Sequence, residues 1–161
     1  DSWASRGLGD VYKRQPLLSV EFLRDFLPLV NKKIYLETNA TLSDKFLEIK
    51  QYVNIVSADI KLESATGIKN SYKFHDKFFD ACRGIETFAK IVFNSKITDD
   101  EISKCCELGK KYGIELILQP EMIEDKMSIS PDFCAQILDK FLKNYEKVRL
   151  IPQVHKFLDV R

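Results

Sequence analysis

The constraint that most narrows what this chain can fold into is an alternation of short apolar runs with segments of helical spacing, repeated along most of its length. Ser19 precedes a helix expected over Val20 to Asn31, with Phe22, Leu23, Phe26, Leu27 and Val30 at helical spacing and a kink at Pro28. A strand follows at Ile34 to Thr38, and Ser43 opens a helix carrying Phe46, Leu47 and Ile49. The strand Asn54 to Lys61 leads through a loop, Leu62 to Asn70, into a helix near Tyr72 to Cys82 that Gly84 stops. Next come the strand Thr87 to Phe93, a helix Asp99 to Tyr112 capped by Thr98 and closed by Gly113, and the strand Ile114 to Leu118. Ser130 and Pro131 open a last helix to about Asn144, before the strand Val148 to Ile151.

Strands joined through helices imply right-handed parallel crossovers, so the fold class is α/β. Runs such as Ile91-Val92-Phe93 suggest strands covered on both faces. Two architectures fit, an open doubly wound sheet or part of a β/α barrel, and both place a site at the C-terminal ends of the strands.

The totals exclude several classes of function. With 161 residues, 45% hydrophobic and 30% charged, this is a single globular domain, and a formal charge of +1 offers no basic field for nucleic acid or a membrane surface. No apolar run reaches the roughly 20 residues of a bilayer span and no signal peptide is present, so the chain reads as cytoplasmic. Cys82, Cys105, Cys106 and Cys134 have neither disulfide-scaffold density nor a CxxC spacing, and read as reduced thiols packed in helices.

Residues 1 to 15 show no periodicity and hold the one tryptophan. From Ser5 to Gln15 they resemble the translation of a transposon adapter used in preparing DNA for sequencing. The domain is therefore expected to begin at Pro16 and run to Arg161, with the segment before it outside the fold.

Each expected strand end turns polar: Glu37, Thr38 and Asn39; Asp59 and Lys61; Asn94 and Ser95; Gln119; Gln153 and His155. Asp59 and Lys61 are two residues apart and share one face of an extended strand, as a solvated ion pair or as part of a site. Five polar ends on one rim favour a small-molecule site, and their amides, hydroxyl, carboxylate and ammonium suit hydroxyls, carboxylates and ring nitrogens. A reactive group is missing from this set. There is no Gly-rich phosphate loop, no nucleophile elbow and no cluster of metal ligands, and His75 reads as a helix residue packed against Phe74, Phe78 and Phe79.

The succession Glu37-Thr38-Asn39, Asp59-Ile60-Lys61-Leu62, Leu118-Gln119-Pro120 and Ile151-Pro152-Gln153-Val154-His155-Lys156, each at a strand end, resembles the 7-carboxy-7-deazaguanine synthase family of radical S-adenosylmethionine enzymes from Pro16 to Arg161. The resemblance implies a partial, TIM-like β/α barrel whose first strands are missing here. It also implies a [4Fe-4S] cluster, S-adenosylmethionine and magnesium, which contract 6-carboxy-5,6,7,8-tetrahydropterin to 7-carboxy-7-deazaguanine for queuosine biosynthesis. By position, Ala40, Asp59, Ile60, Lys61, Gln119, Pro120, Glu121 and Met122 would contact the cofactor, and Thr38, His155 and Arg161 the pterin. Ala40 stands where the family has a glycine, and Glu63 where a proline is common.

The family's Gly-Gly-Glu-Pro motif, which holds the methionyl amine, would end at Pro16, so the cluster cysteines and Gly-Gly-Glu are expected upstream and no residue here is assigned a catalytic or metal-binding role. On this reading the chain is a C-terminal fragment, inactive as written, and the uncovered edge of Ile34 to Thr38 favours self-association. For the parent enzyme the resemblance implies an electron-donor protein and a homodimer. The alternatives are another radical S-adenosylmethionine enzyme, such as a glycyl-radical activase, and a non-catalytic α/β module for a nucleotide-like ligand.

Overall fold

The computed structural model describes residues 15–69, 72–123 and 126–154. Strand β1 is Tyr35–Thr38, β2 Ile55–Lys61, β3 Glu86–Phe93 and β4 Glu115–Pro120; β5 (Met122–Ile123) and β6 (Lys126–Met127) form a small hairpin, and β7 is Val148–Leu150. Helix α1 is Val20–Phe26, α2 Ser43–Ile49, α3 Glu63–Thr66, α4 Tyr72–Ala81, α5 Asp99–Tyr112 and α6 Pro131–Asn144. The five longer strands belong to one sheet in chain order, β1-β2-β3-β4-β7. The α/β class holds. The strand order never reverses, whereas a doubly wound sheet reverses at its switch point. Among the described residues the sheet is not closed into a barrel.

The described residues divide into two compact units, one of 15–59 with 72–87, the other of 60–69 with 88–123 and 126–154. In the first, β1 and β2 pair in parallel, Leu36 opposite Val56 and Thr38 opposite Ala58. Helix α2 packs against α1 and against α4. The α2–α4 contact centres on Phe46 and Phe78, fully buried, with ring centroids 5.0 Å apart. Burying each such ring stabilises the fold by about 1.5–3 kcal/mol.

The second unit pairs β3, β4 and β7 in parallel, with Ala89 opposite Leu116 and Leu116 opposite Val148. Helix α5 packs on β4 and α6, and α6 on β7. Gly109 lets α5 approach closely, because a Cβ there would lie 2.7 Å from the Tyr145 ring, whose hydroxyl donates to the Ile114 carbonyl at 2.8 Å.

In both units the strands are two-faced. Leu36, Thr38, Val56, Ala58 and Ile60 are buried on one face, as are Ala89, Ile91, Phe93, Leu116, Leu118 and Pro120. The other face carries Glu37, Ser57, Asp59 and Lys61, and Lys90, Val92, Glu115, Gln119 and Arg149. Most of these are half-buried or exposed. The expectation of strands covered on both faces holds in part: Val56-Ser57-Ala58 and Leu116-Ile117-Leu118 are buried on successive residues, whereas Val92 is half-buried between buried Ile91 and Phe93, because alternate residues of a strand point to opposite sides.

Local chemistry explains where boundaries hold or shift. Thr98 and Glu101 form a reciprocal capping box, Ser130 caps α6 through the Phe133 amide at 3.2 Å, and Gly113 closes α5 in the left-handed region. Ser43 is not a cap, since Leu42 holds that position, and Ser19 stands at the start of α1 without a side-chain capping bond. The first helix ends at Phe26 and passes into a 3-10 turn over Leu27–Leu29, because Pro28 cannot continue the α-helical bonds. Its buried positions are Val20 and Leu27, while Phe22 and Phe26 stack on each other in solvent. The expected loop after β2 contains α3, and the β5–β6 hairpin was not expected.

Candidate functional site at the strand ends

In the first unit, β1 ends at Thr38 and the chain turns sharply at Ala40. Ala40 is the one non-glycine with positive φ among the described residues, at 56°, and it is fully buried. A left-handed alanine is strained by roughly 1–2 kcal/mol and persists where its surroundings hold it. Those surroundings are explicit. The Ala40 amide donates to Thr38 Oγ1 at 3.2 Å, and His75 Nδ1 lies 3.2 Å from the Ala40 carbonyl oxygen. A carbonyl only accepts, so Nδ1 carries the proton. His75 is buried on α4, and burial pulls its pKa down to about 4 against the smaller, opposite effect of the Ala40 bond.

Asn39 completes the turn. Its Oδ1 accepts from Thr41 Oγ1 at 2.7 Å and from Gln15 Nε2 at 2.6 Å. Of the segment expected to lie outside the fold, Gln15 alone is among the described residues, and it is buried against this strand end. Its Oε1 is buried without a hydrogen-bond partner, as is Ser57 Oγ on the face of β2 that also bears Asp59. Asp59 is half-buried, and Ala58 beside it is the register partner of Thr38.

In the second unit, Ile60 is buried and Lys61 half-buried, and the following turn is fixed by Glu101. One Glu101 oxygen accepts from the Ser64 amide at 3.0 Å; the other accepts from the Thr98 amide at 3.0 Å and from Thr98 Oγ1 at 3.2 Å. Burial raises the Glu101 carboxyl, but the bonds from Ser64 and Thr98 outweigh it and hold the group below its ordinary range. At the end of β4, Gln119 is half-buried, Pro120 and Met122 are buried, and the Glu121 amide donates to the Phe93 carbonyl at 2.8 Å. Ser128 then bonds Glu121 twice, amide to carbonyl at 2.9 Å and hydroxyl to carboxylate at 3.3 Å.

Thr38, Ala40 and Asp59 thus stand at adjoining strand ends of the first unit, and Gln119 to Met122 form one braced turn in the second. His155 and Arg161 lie outside the described residues. Sequence reasoning missed the Glu101 tie, the His75 contact and Ser57. Ser57 alone carried a signal, a hydroxyl in an apolar strand with the same parity as Asp59.

The cysteines are packed in the interior. All four are buried, and burial pushes Cys82 up to about 12 and Cys106 up to about 11. Among the described residues no group of three histidine, cysteine or acidic side chains could hold a metal ion, and no helix is long and apolar enough to cross a membrane.

No family model matches the chain. It is 30% identical over 149 residues to the 7-carboxy-7-deazaguanine synthase of Geobacter sulfurreducens, covering 89% of this chain and 60% of that protein. It is 31% identical over 153 residues to the enzyme of the same name from Archaeoglobus fulgidus, covering 91% of this chain and 64% of that one. A third, from Methanopyrus kandleri, is 31% identical over 129 residues, covering 79% and 48%. The chain therefore spans about half to two-thirds of the length of the curated relatives it matches. Among solved structures, apo 3-keto-D-glucoside 4-epimerase from E. coli has a TM-score of 0.46 and 12% identity, covering 89% of this chain and 65% of that one.

Proposed function

We propose that this chain, homologous to the 7-carboxy-7-deazaguanine synthases over nine-tenths of its length, is the C-terminal part of such an enzyme and forms one wall of its S-adenosylmethionine site. The observation that carries this reading is the identity of about 30% to three such enzymes over 79–91% of the chain, and the orphaned Gln15 Oε1 at the end of β1 fits it. Gln15, the last residue of the adapter-like segment, directly precedes Pro16 and so stands in for the glutamate that the resemblance puts there to hold the methionyl amine. A buried acceptor without a donor, fixed there through Asn39, fits an ammonium group, although a neutral amide holds one less firmly than a carboxylate. Asp59, near the end of β2 in the same unit, supplies a carboxylate that suits hydroxyls or an ammonium.

The cluster and magnesium do not fit what is present, since the described residues contain no ligand set for either. No step is therefore assigned to residues of this chain beyond binding and orienting the nucleoside. In the whole enzyme, the radical chemistry that converts 6-carboxy-5,6,7,8-tetrahydropterin to 7-carboxy-7-deazaguanine would be supplied by the bound cofactors. An electron-donor protein and a second protomer belong to the same proposal.

Titration calorimetry of the chain with S-adenosylmethionine tests it. Weak binding is expected, tightened by Gln15→Glu about tenfold, the worth of charge assistance in one hydrogen bond. Asp59→Asn should weaken it. The reading fails if no heat of binding is seen, or if neither substitution changes the affinity.

A further inference from the structure

Ala40 presents a problem that its own sequence position does not solve: a residue with a Cβ occupies the left-handed region in the fully buried turn after β1. The Thr38 hydroxyl satisfies its amide, but Thr38 is part of the same turn and could follow it into another conformation. His75 belongs to α4, which packs on α2 through the Phe46–Phe78 contact, so its ring reaches the turn from a separate packed element of the unit. We propose that His75 is a positioning residue, whose Nδ1–H to the Ala40 carbonyl holds the turn Thr38 to Thr41 in the shape in which its backbone meets a ligand at the strand end.

The direction of the bond makes the role specific. The donor must sit two atoms beyond Cβ to match Nδ1, which an asparagine amide nitrogen reproduces and a glutamine amide, one methylene longer, does not. Glycine at position 40 adopts the left-handed conformation without help, so it removes the need for the brace. The remaining ties of the turn, Thr41 Oγ1 and Gln15 Nε2 to Asn39, act on its side chain and leave the Ala40 carbonyl to His75. That the turn contacts S-adenosylmethionine rests on the function proposed above; that His75 sets its conformation does not.

The test compares His75→Asn, His75→Gln and the double variant His75→Gln/Ala40→Gly in the full chain. Amide hydrogen exchange at Ala40 and Thr41 is the first readout, and the affinity for S-adenosylmethionine the second. Loss of one buried hydrogen bond corresponds to about tenfold faster exchange. That acceleration is expected in His75→Gln, with near wild-type exchange in His75→Asn and in the double variant; the affinity, read for the two single variants alone, follows the same order. The inference is overturned if His75→Asn behaves like His75→Gln, or if Ala40→Gly fails to restore the turn. A wild-type chain that does not bind S-adenosylmethionine overturns the proposed function instead, and the exchange readout still decides the role of His75.

Discussion

Replacing Glu101 by glutamine keeps the side chain's shape and removes its charge, so it isolates what the carboxylate does for the turn after β2. In the wild type each oxygen is used, one by the Ser64 amide and the other by the amide and hydroxyl of Thr98. Glutamine offers one carbonyl oxygen, and its NH2 must face a backbone N–H at the other position. An amide left unpaired in a buried site costs about 1–3 kcal/mol, and the surviving bonds lose their charge assistance, so a loss of about 2–3 kcal/mol is expected at pH 7. This is a large share of the roughly 5–15 kcal/mol that separates folded from unfolded domains. Urea unfolding reads it as a lower midpoint at unchanged slope, and hydrogen exchange should place the loosening at Ser64. The acid limb gives an independent check. The folded-state pKa of Glu101 lies below its ordinary 4.5, so its contribution is present above that value and is lost as pH falls through the folded pKa. The gap between wild type and Glu101→Gln should therefore narrow below pH 4.5. A gap under about 0.5 kcal/mol at pH 7, or one that persists unchanged into acid, would refute the reasoning.

His75 acts in the same direction over a higher pH window: it is buried neutral, and the unfolded chain takes up its proton first. Stability should be full above pH 6.5 and fall by about 3 kcal/mol as pH drops to about 4, a component missing from urea midpoints of His75→Asn. The four buried thiols, two of them pushed up to about 12 and about 11, should resist iodoacetamide at pH 7 until the chain is unfolded. Anaerobic iron and sulfide should leave the chain without [4Fe-4S] absorption, and a stable cluster would contradict the assignment of these cysteines to packing. Sedimentation should show concentration-dependent association through the outer edge of β1 and the exposed Phe22–Phe26 pair, reduced by Phe22→Ser/Phe26→Ser; a monodisperse wild type would count against it.

What could be read from the sequence was what local chemistry decides. Thr98 before an acidic first turn, Ser130 before Pro131, and Gly113 after a lysine-rich turn each specify a helix end through bonds made within a few residues, and each is found as expected. The face of α1 was not legible in this way. Phe22 and Phe26 fit a helical stripe, but so do Val20 and Leu27, and which pair is buried depends on what lies beneath. The β5–β6 hairpin was invisible because two-residue strands carry no period. The alternation of the sequence located Thr38, Asp59, Lys61 and Gln119 at or near strand ends without any contact being known. It could not find His75 against Ala40, a bond between residues 35 apart in the chain, or Glu101 against Ser64, 37 apart.

The two-faced strands separate two kinds of information in the same stretch of chain. From Ile55 to Lys61, one set of alternate residues answers to packing and the other to whatever lies across the open side. A substitution at Val56, Ala58 or Ile60 is judged by volume, while one at Asp59 or Lys61 is judged by charge and reach. Ligand preference can therefore drift along one parity while the other keeps the sheet intact, and tolerance to substitution should be striped with a period of two. Ser57 is where the stripes meet, a hydroxyl on the open parity that is nonetheless fully enclosed and left without a partner.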